Sequence, residues 1–178
     1  MSSSFTNRII RAAKLDVHLY EEVESDKSAM RQAMVVVILS GLAYGIGSIS
    51  RGGALGVSLG IVLGLAGWYI WAFIIYFIGT KLLPEHQTKS DVGELLRTLG
   101  FASAPGLIRV LGIFPAIQPL VFSLAAVWML VAMVVAVRQA LDYKATWRAV
   151  LVCIISFAVQ FAIIRSVFLI LNVLPKPA

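Results

Sequence analysis

The chain has 178 residues, of which 60% are hydrophobic and 13% charged, with a net charge of +6 and a mean hydropathy of +0.91. Soluble domains are closer to half apolar and a quarter charged, so this composition excludes one and points to an integral membrane protein. The basic residues flank apolar runs instead of forming a patch interleaved with aromatics, which argues against a nucleic-acid partner, and a lone cysteine, Cys153, supports neither a disulfide framework nor a thiolate metal site.

Residues 1–31 are expected to form a cytoplasmic amphipathic segment. Between Ser4 and Glu24 the apolar residues Phe5, Ile9, Ala12, Ala13, Leu19, Tyr20 and Val23 recur at roughly helical spacing, with Arg8, Arg11 and Lys14 among them. That pattern predicts an interfacial helix lying on the bilayer, with a partly ordered, solvated tail as the alternative. The acidic cluster Glu21, Glu22, Glu24 and Asp26 is expected to face water. About thirty polar and amphipathic residues precede the first apolar run and no small-residue cleavage site follows it, so it is not read as a cleaved signal peptide.

Residues 32–174 predict an all-α domain of five transmembrane helices, followed by a short external tail at 175–178. The first span runs from about Gln32 to Ile49 and the second from about Ala54 to Thr80, long enough to tilt. Gly52, Gly56, Gly60 and Gly64 fall four residues apart, on one helix face where a neighbouring backbone can approach closely. The partner for this face is either the first span, through Gly41 and Gly45, or another subunit. Asp91 and Glu94 have capping-box spacing and open the third segment, whose apolar part, Leu99 to Phe114, would reach only about 24 Å as an α-helix. Pro115 and Pro119 then bracket a turn. Leu120 to Val137 is the cleanest span, and the fifth, from about Trp147 to Val173, contains Gln160, Arg165 and Asn172.

Eleven Lys and Arg fall on the amino-terminal side of such a bundle and two, Arg51 and Lys176, on the other, and all nine acidic residues join the eleven. The positive-inside rule therefore predicts a cytoplasmic amino terminus and an external carboxyl terminus. A re-entrant third segment would put Arg138 to Arg148 outside and spoil this asymmetry.

Arg109 and Arg165 remain at bilayer depth, where an unpaired arginine costs about 2.5–3.5 kcal/mol on insertion scales. No Asp or Glu lies in any predicted span, which leaves backbone carbonyls, lipid phosphates or an anionic ligand as partners. On α-helical spacing Arg109 shares a small-residue face with Ala102, Pro105, Gly106 and Gly112, and Pro105 should kink the span and free the carbonyl of Phe101. The candidate ligand or lipid residues are thus Arg109, Pro105, Phe101, Arg165 and Gln160. The bland readings are snorkelling of the arginines to headgroups and an interhelical hydrogen bond for Gln160. His18 and His86 lack ligand-spaced companions, so no metal is expected. No nucleophile with a base and no phosphate-cradling loop appears, so neither catalysis nor a cofactor is expected. Trp68, Tyr69, Trp71, Tyr76 and Trp147 read as interface anchors and packing.

At Gly100-Phe101-x-x-x-Pro105, followed by an apolar run to Pro115, the chain resembles the Yip-one domain family, the Ypt/Rab-interacting membrane proteins and their bacterial relatives. The likeness extends over most of the chain: cytoplasmic amino terminus, five spans, a glycine-rich second span and the aromatic-proline motif opening the third. It implies a membrane protein that associates with itself or with membrane-protein partners. Rab binding is not carried over, because nothing in Met1 to Arg31 matches the family's Asp-Leu-Tyr-Gly-Pro element. The compact form resembles the bacterial branch, which implies the bacterial inner membrane. Two functions follow as expectations. One is a non-enzymatic scaffold or adaptor that organises membrane lipids or partner proteins, as an oligomer. The other is a small transporter or channel binding an anion or lipid headgroup at Arg109.

Overall fold

Helix α1 spans Phe5–Ala13 and α2 Val17–Ser25; the long helices α3 (Ala29–Gly47) and α4 (Ile49–Phe77) follow, and α4 ends in a π-helical turn, Ile78–Leu82. Then come α5 (Val92–Phe101), a 3-10 helix (Ala104–Ile113), α6 (Gln118–Ala140) and α7 (Thr146–Val173). The computed structural model describes residues 4–173, except for the side chains at 50–52, 54–56, 59, 164, 167, 168 and 170–173. Among the described residues every regular element is helical. Four stretches of the described residues are long and apolar enough to cross a membrane: Ala29–Gly47, Gly60–Leu82, Gln118–Ala140 and Thr146–Ile163, with Ala104–Ile113 a shorter apolar helix.

The expected interfacial helix is instead a hairpin of two short helices. Ser4 caps α1 by accepting from the Asn7 N–H, Asp16 caps α2 by accepting from the His18 N–H, and Leu15, in the left-handed region at φ 61°, turns the chain between them. Its apolar residues Ala12, Leu19, Tyr20 and Val23 are fully buried in one core with Ala33, Leu99 and Ala136, so this face rests on protein. The tip of the hairpin reaches the middle of α6, where the Trp128 indole donates to the Ala13 carbonyl at 2.8 Å.

Polar contacts gather at one end of the bundle. The guanidinium of Arg8, only 2% exposed, donates to Glu22 at 2.9 Å, to Asp26 at 2.8 Å and to Gln32 at 2.9 Å. Arg97 donates to the carbonyls of Val23 and Glu24, Gln139 to Glu21, and Arg148 pairs with Glu85 at 3.2 Å. The start of α3, the segment before α5, the end of α6 and the start of α7 therefore share this end. At the other end the Gln118 amide donates to the Gly47 carbonyl, and a Cβ at Gly112 would lie 3.1 Å from that same oxygen.

The segment from Val92 to Ile113 must run from one end to the other, and it does so parallel to α3. Gly100 packs on Ala33, Gly106 on Ser40, and the Arg109 backbone on Gly47. The capping box expected at Asp91 and Glu94 starts it, with reciprocal bonds of 2.8 and 3.0 Å. A single kinked α-helix was expected from Leu99 to Phe114; α5 instead stops at Phe101, and Pro105 stands in the first turn of the 3-10 helix, where its missing N–H is not needed. The change of helix type resolves the shortness of this segment. Ten α-helical residues rise about 15 Å and ten 3-10 residues about 20 Å, because the 3-10 rise is 2.0 Å per residue. It also corrects the face on which Arg109 lies. With three residues per turn, Gly106, Arg109 and Gly112 share one row, and Ala102 and Pro105 do not.

Candidate functional site

Helices α3 and α4 meet where both are small. A Cβ at Gly41 would lie 3.2 Å from the Gly60 carbonyl oxygen, one at Gly60 3.4 Å from the Gly41 oxygen, and one at Gly45 2.6 Å from the Val57 Cα. These backbones can approach only because the positions are glycine. Gly52 and Gly56 belong to the same series, but their surroundings lie outside the described residues. Further along α4 the helix no longer touches α3 in this way, and a cavity of about 450 Å³ opens among α3, α4, the 3-10 helix, α6 and α7.

Its wall on α4 is made of Gly60, Leu63, Gly64, Gly67, Trp68 and Trp71, and on α3 of Val37, Ser40, Gly41 and Tyr44. Leu99, Ser103 and Arg109 come from the third segment, Met129 and Met133 from α6, and Phe157 and Gln160 from α7. Gly106 allows the arrangement: a Cβ there would run into the Ser40 hydroxyl and lie 2.9 Å from the Met129 sulfur, so a side chain would push the 3-10 helix, and Arg109 with it, away from the cavity.

Among the described residues Arg109 is the one charged residue in this lining. Its guanidinium stands 5.7 Å from the centroid of the Tyr44 ring, a cation–π contact worth about 0.5–2 kcal/mol. Its Nε is buried without a hydrogen-bond partner. Trp71, 5% exposed, also presents a buried, unpartnered Nε1, whereas Trp68 donates to the Leu96 carbonyl at 3.0 Å. Ser156, one turn before Gln160 on α7, has a buried hydroxyl without a partner as well. A buried donor left unmade costs about 1–3 kcal/mol. Chemically, the cavity offers the fixed cation of Arg109 to a ligand that can accept.

Of the residues singled out from sequence, Arg109 and Gln160 meet in the cavity, as do Gly60, Gly64 and Gly41. Phe101 and Pro105 are buried in the packing behind it and do not line it, and Arg165 is exposed on α7. Sequence reasoning missed Ser40, Tyr44, Ser103 and Trp71. For Trp71 the signal was present: Gly60, Gly64, Gly67 and Trp71 recur at helical spacing, small residues followed by a ring, which is how a helix face forms a hollow with a closed end.

A family model for the Yip1 domain matches residues 19–166. The chain belongs to the Yip1 family. No curated protein and no solved structure matches it. The Yip1 match runs from within α2 to most of α7, hence over every described residue that lines the cavity, and together with the four long apolar helices it makes the chain a membrane protein. The Yip1 family is not a known enzyme family. Among the described residues of this Yip1 protein, no three His, Cys, Asp or Glu side chains are grouped so as to hold a metal ion.

Proposed function

We propose that this Yip1 protein crosses the membrane five times, with its amino terminus in the cytoplasm, and that its interhelical cavity binds a phosphate-bearing anionic ligand through Arg109. The observation that carries the reading is a guanidinium lining a cavity of about 450 Å³ with its Nε buried and unpartnered. In low dielectric such a charge attracts an anion strongly, and the flat fork of an arginine suits the oxygens of a phosphate. Membranes supply phosphate at this depth as lipid headgroups, and soluble anions supply it from a water-filled recess.

The five-crossing topology draws on the course of Val92–Ile113 beside α3 and on the gathering of the charged segments at one end. The resemblance to the bacterial branch supports an inner-membrane location. Cysteines introduced as Lys89→Cys and Ala116→Cys, which flank the third segment, should react with an impermeant maleimide from opposite faces of the membrane; labelling from the same face would refute five crossings.

The scaffold reading has one supporting observation. Every described side chain from Phe161 to Ser166 on α7 is exposed, so this end of the helix has room for a second copy or another membrane protein. The glycine faces themselves do not call for one, since Gly41 and Gly45 meet α4 within the chain. Native mass spectrometry of the protein released from membranes tests both readings. A phosphorus-containing adduct retained by the wild type and lost in Arg109→Leu supports the ligand site. Its retention in that variant would refute it, and a dimer mass would favour the scaffold.

A further inference from the structure

The glycine series of α4 changes its role part-way along. Gly60 is pressed against α3, but a Cβ at Gly64 or Gly67 would find no atom within 4 Å, and both positions line the cavity. Glycine inside a helix costs about 0.5–1 kcal/mol relative to alanine. At Gly64 and Gly67 no close-packed backbone accounts for that cost; what they provide is empty groove. One side of the cavity is apolar and open, with Leu63 on α4 66% exposed and Phe157 on α7 48% exposed. Its inner wall carries the guanidinium of Arg109. An apolar opening that leads to a cation matches an amphiphile. A free anion would have no use for the apolar groove.

We propose that the cavity admits an anionic phospholipid sideways from the bilayer, between α4 and α7, with its phosphate on Arg109 and one acyl chain in the groove at Gly64 and Gly67. The volume lies at the lower end of the range for small-molecule sites, about 300–1,000 Å³, so the headgroup end enters and the rest of the lipid stays in the membrane. This inference rests on the Arg109 reading and names the source of the ligand.

The test uses the full chain in phosphatidylcholine bilayers, with Trp128→Phe and Trp147→Phe introduced so that Trp68 and Trp71, which line the cavity, report by fluorescence. Phosphatidylglycerol with brominated chains should quench them more strongly than brominated phosphatidylcholine at equal fraction, by a preference on the order of tenfold in affinity. Arg109→Leu should abolish the preference. Gly64→Leu with Gly67→Leu fills the groove without touching Arg109, and should also abolish it while leaving binding of soluble glycerol phosphate, followed by phosphorus NMR line broadening, as in the wild type. Gly64→Ala, one methyl group in open space, should weaken the preference less and serves as the variant that is certain to pack. If the glycine variants prefer phosphatidylglycerol as the wild type does, the lipid groove is refuted and the anion site stands. If neither probe depends on Arg109, both fail.

Discussion

Gly47→Ala tests the contact that positions Arg109. Gly47 is the last residue of α3, and a Cβ there would run into the carbonyl oxygen of Arg109, 3.0 Å from its carbonyl carbon and 3.1 Å from the Phe122 ring. Two of these atoms are backbone and cannot swing aside, so either α3 or the 3-10 helix must retreat. Overpacking of this kind costs about 1–3 kcal/mol. The same shift loosens the Gln118 bond to the Gly47 carbonyl, worth about 1 kcal/mol, while alanine returns less than about 1 kcal/mol of helix propensity at this terminal position. The net loss is about 2 kcal/mol, which for a chain of this size lowers Tm by about 4–8 °C. Thermal unfolding in detergent measures it, and hydrogen exchange should rise across residues 104–113. Gly64→Ala, with nothing within 4 Å, is the control and should be neutral or slightly stabilising. A Gly47→Ala protein as stable as that control would refute the close parallel packing of α3 and the 3-10 helix.

Two further predictions concern the charged end. Arg8→Ala removes the shared partner of Glu22, Asp26 and Gln32; because those carboxylates are about a third exposed, the loss should be about 2 kcal/mol, below the figure for a fully buried pair. Faster proteolysis within residues 4–25 would accompany it, and unchanged proteolysis would contradict the docked hairpin. Glu24 is pushed up to about 7 by burial, with Asp142, Glu94 and Glu21 adding to the shift and Arg97 opposing it. Its folded value lies above the unfolded one, so the native state holds the extra proton, and stability should fall as pH rises from about 4.5 to about 7. Glu24→Gln should remove that slope and gain on the order of 1 kcal/mol above pH 7, after allowance for solvent screening. An unfolding profile in which the variant keeps the wild-type slope would assign it elsewhere.

The long helices were legible because hydropathy is a local property: α3, α6 and the outer part of α4 can be read from runs of apolar residues alone. Arg109 was legible for the converse reason, as a charge where the run should have none. The 3-10 helix was not. The choice between three and four residues per bond is made by neighbours, and Gly106 against Ser40 and Gly112 beside Gly47 reward the tighter winding. The hairpin was missed because Leu15 gives no sign of its left-handed backbone, and one amphipathic stripe looks alike whether lipid or protein covers it. In the glycine series spacing identified the face, but only the fold separates Gly60, which is packed, from Gly64, which borders a void.

The most direct test of the central claim is a high-resolution map of the protein in a lipid nanodisc containing phosphatidylglycerol. The account predicts non-protein density in the cavity, within hydrogen-bond distance of the Arg109 guanidinium and extending past Gly64 toward the gap between α4 and α7. A cavity without such density, with Arg109 turned onto a protein carbonyl, would contradict it.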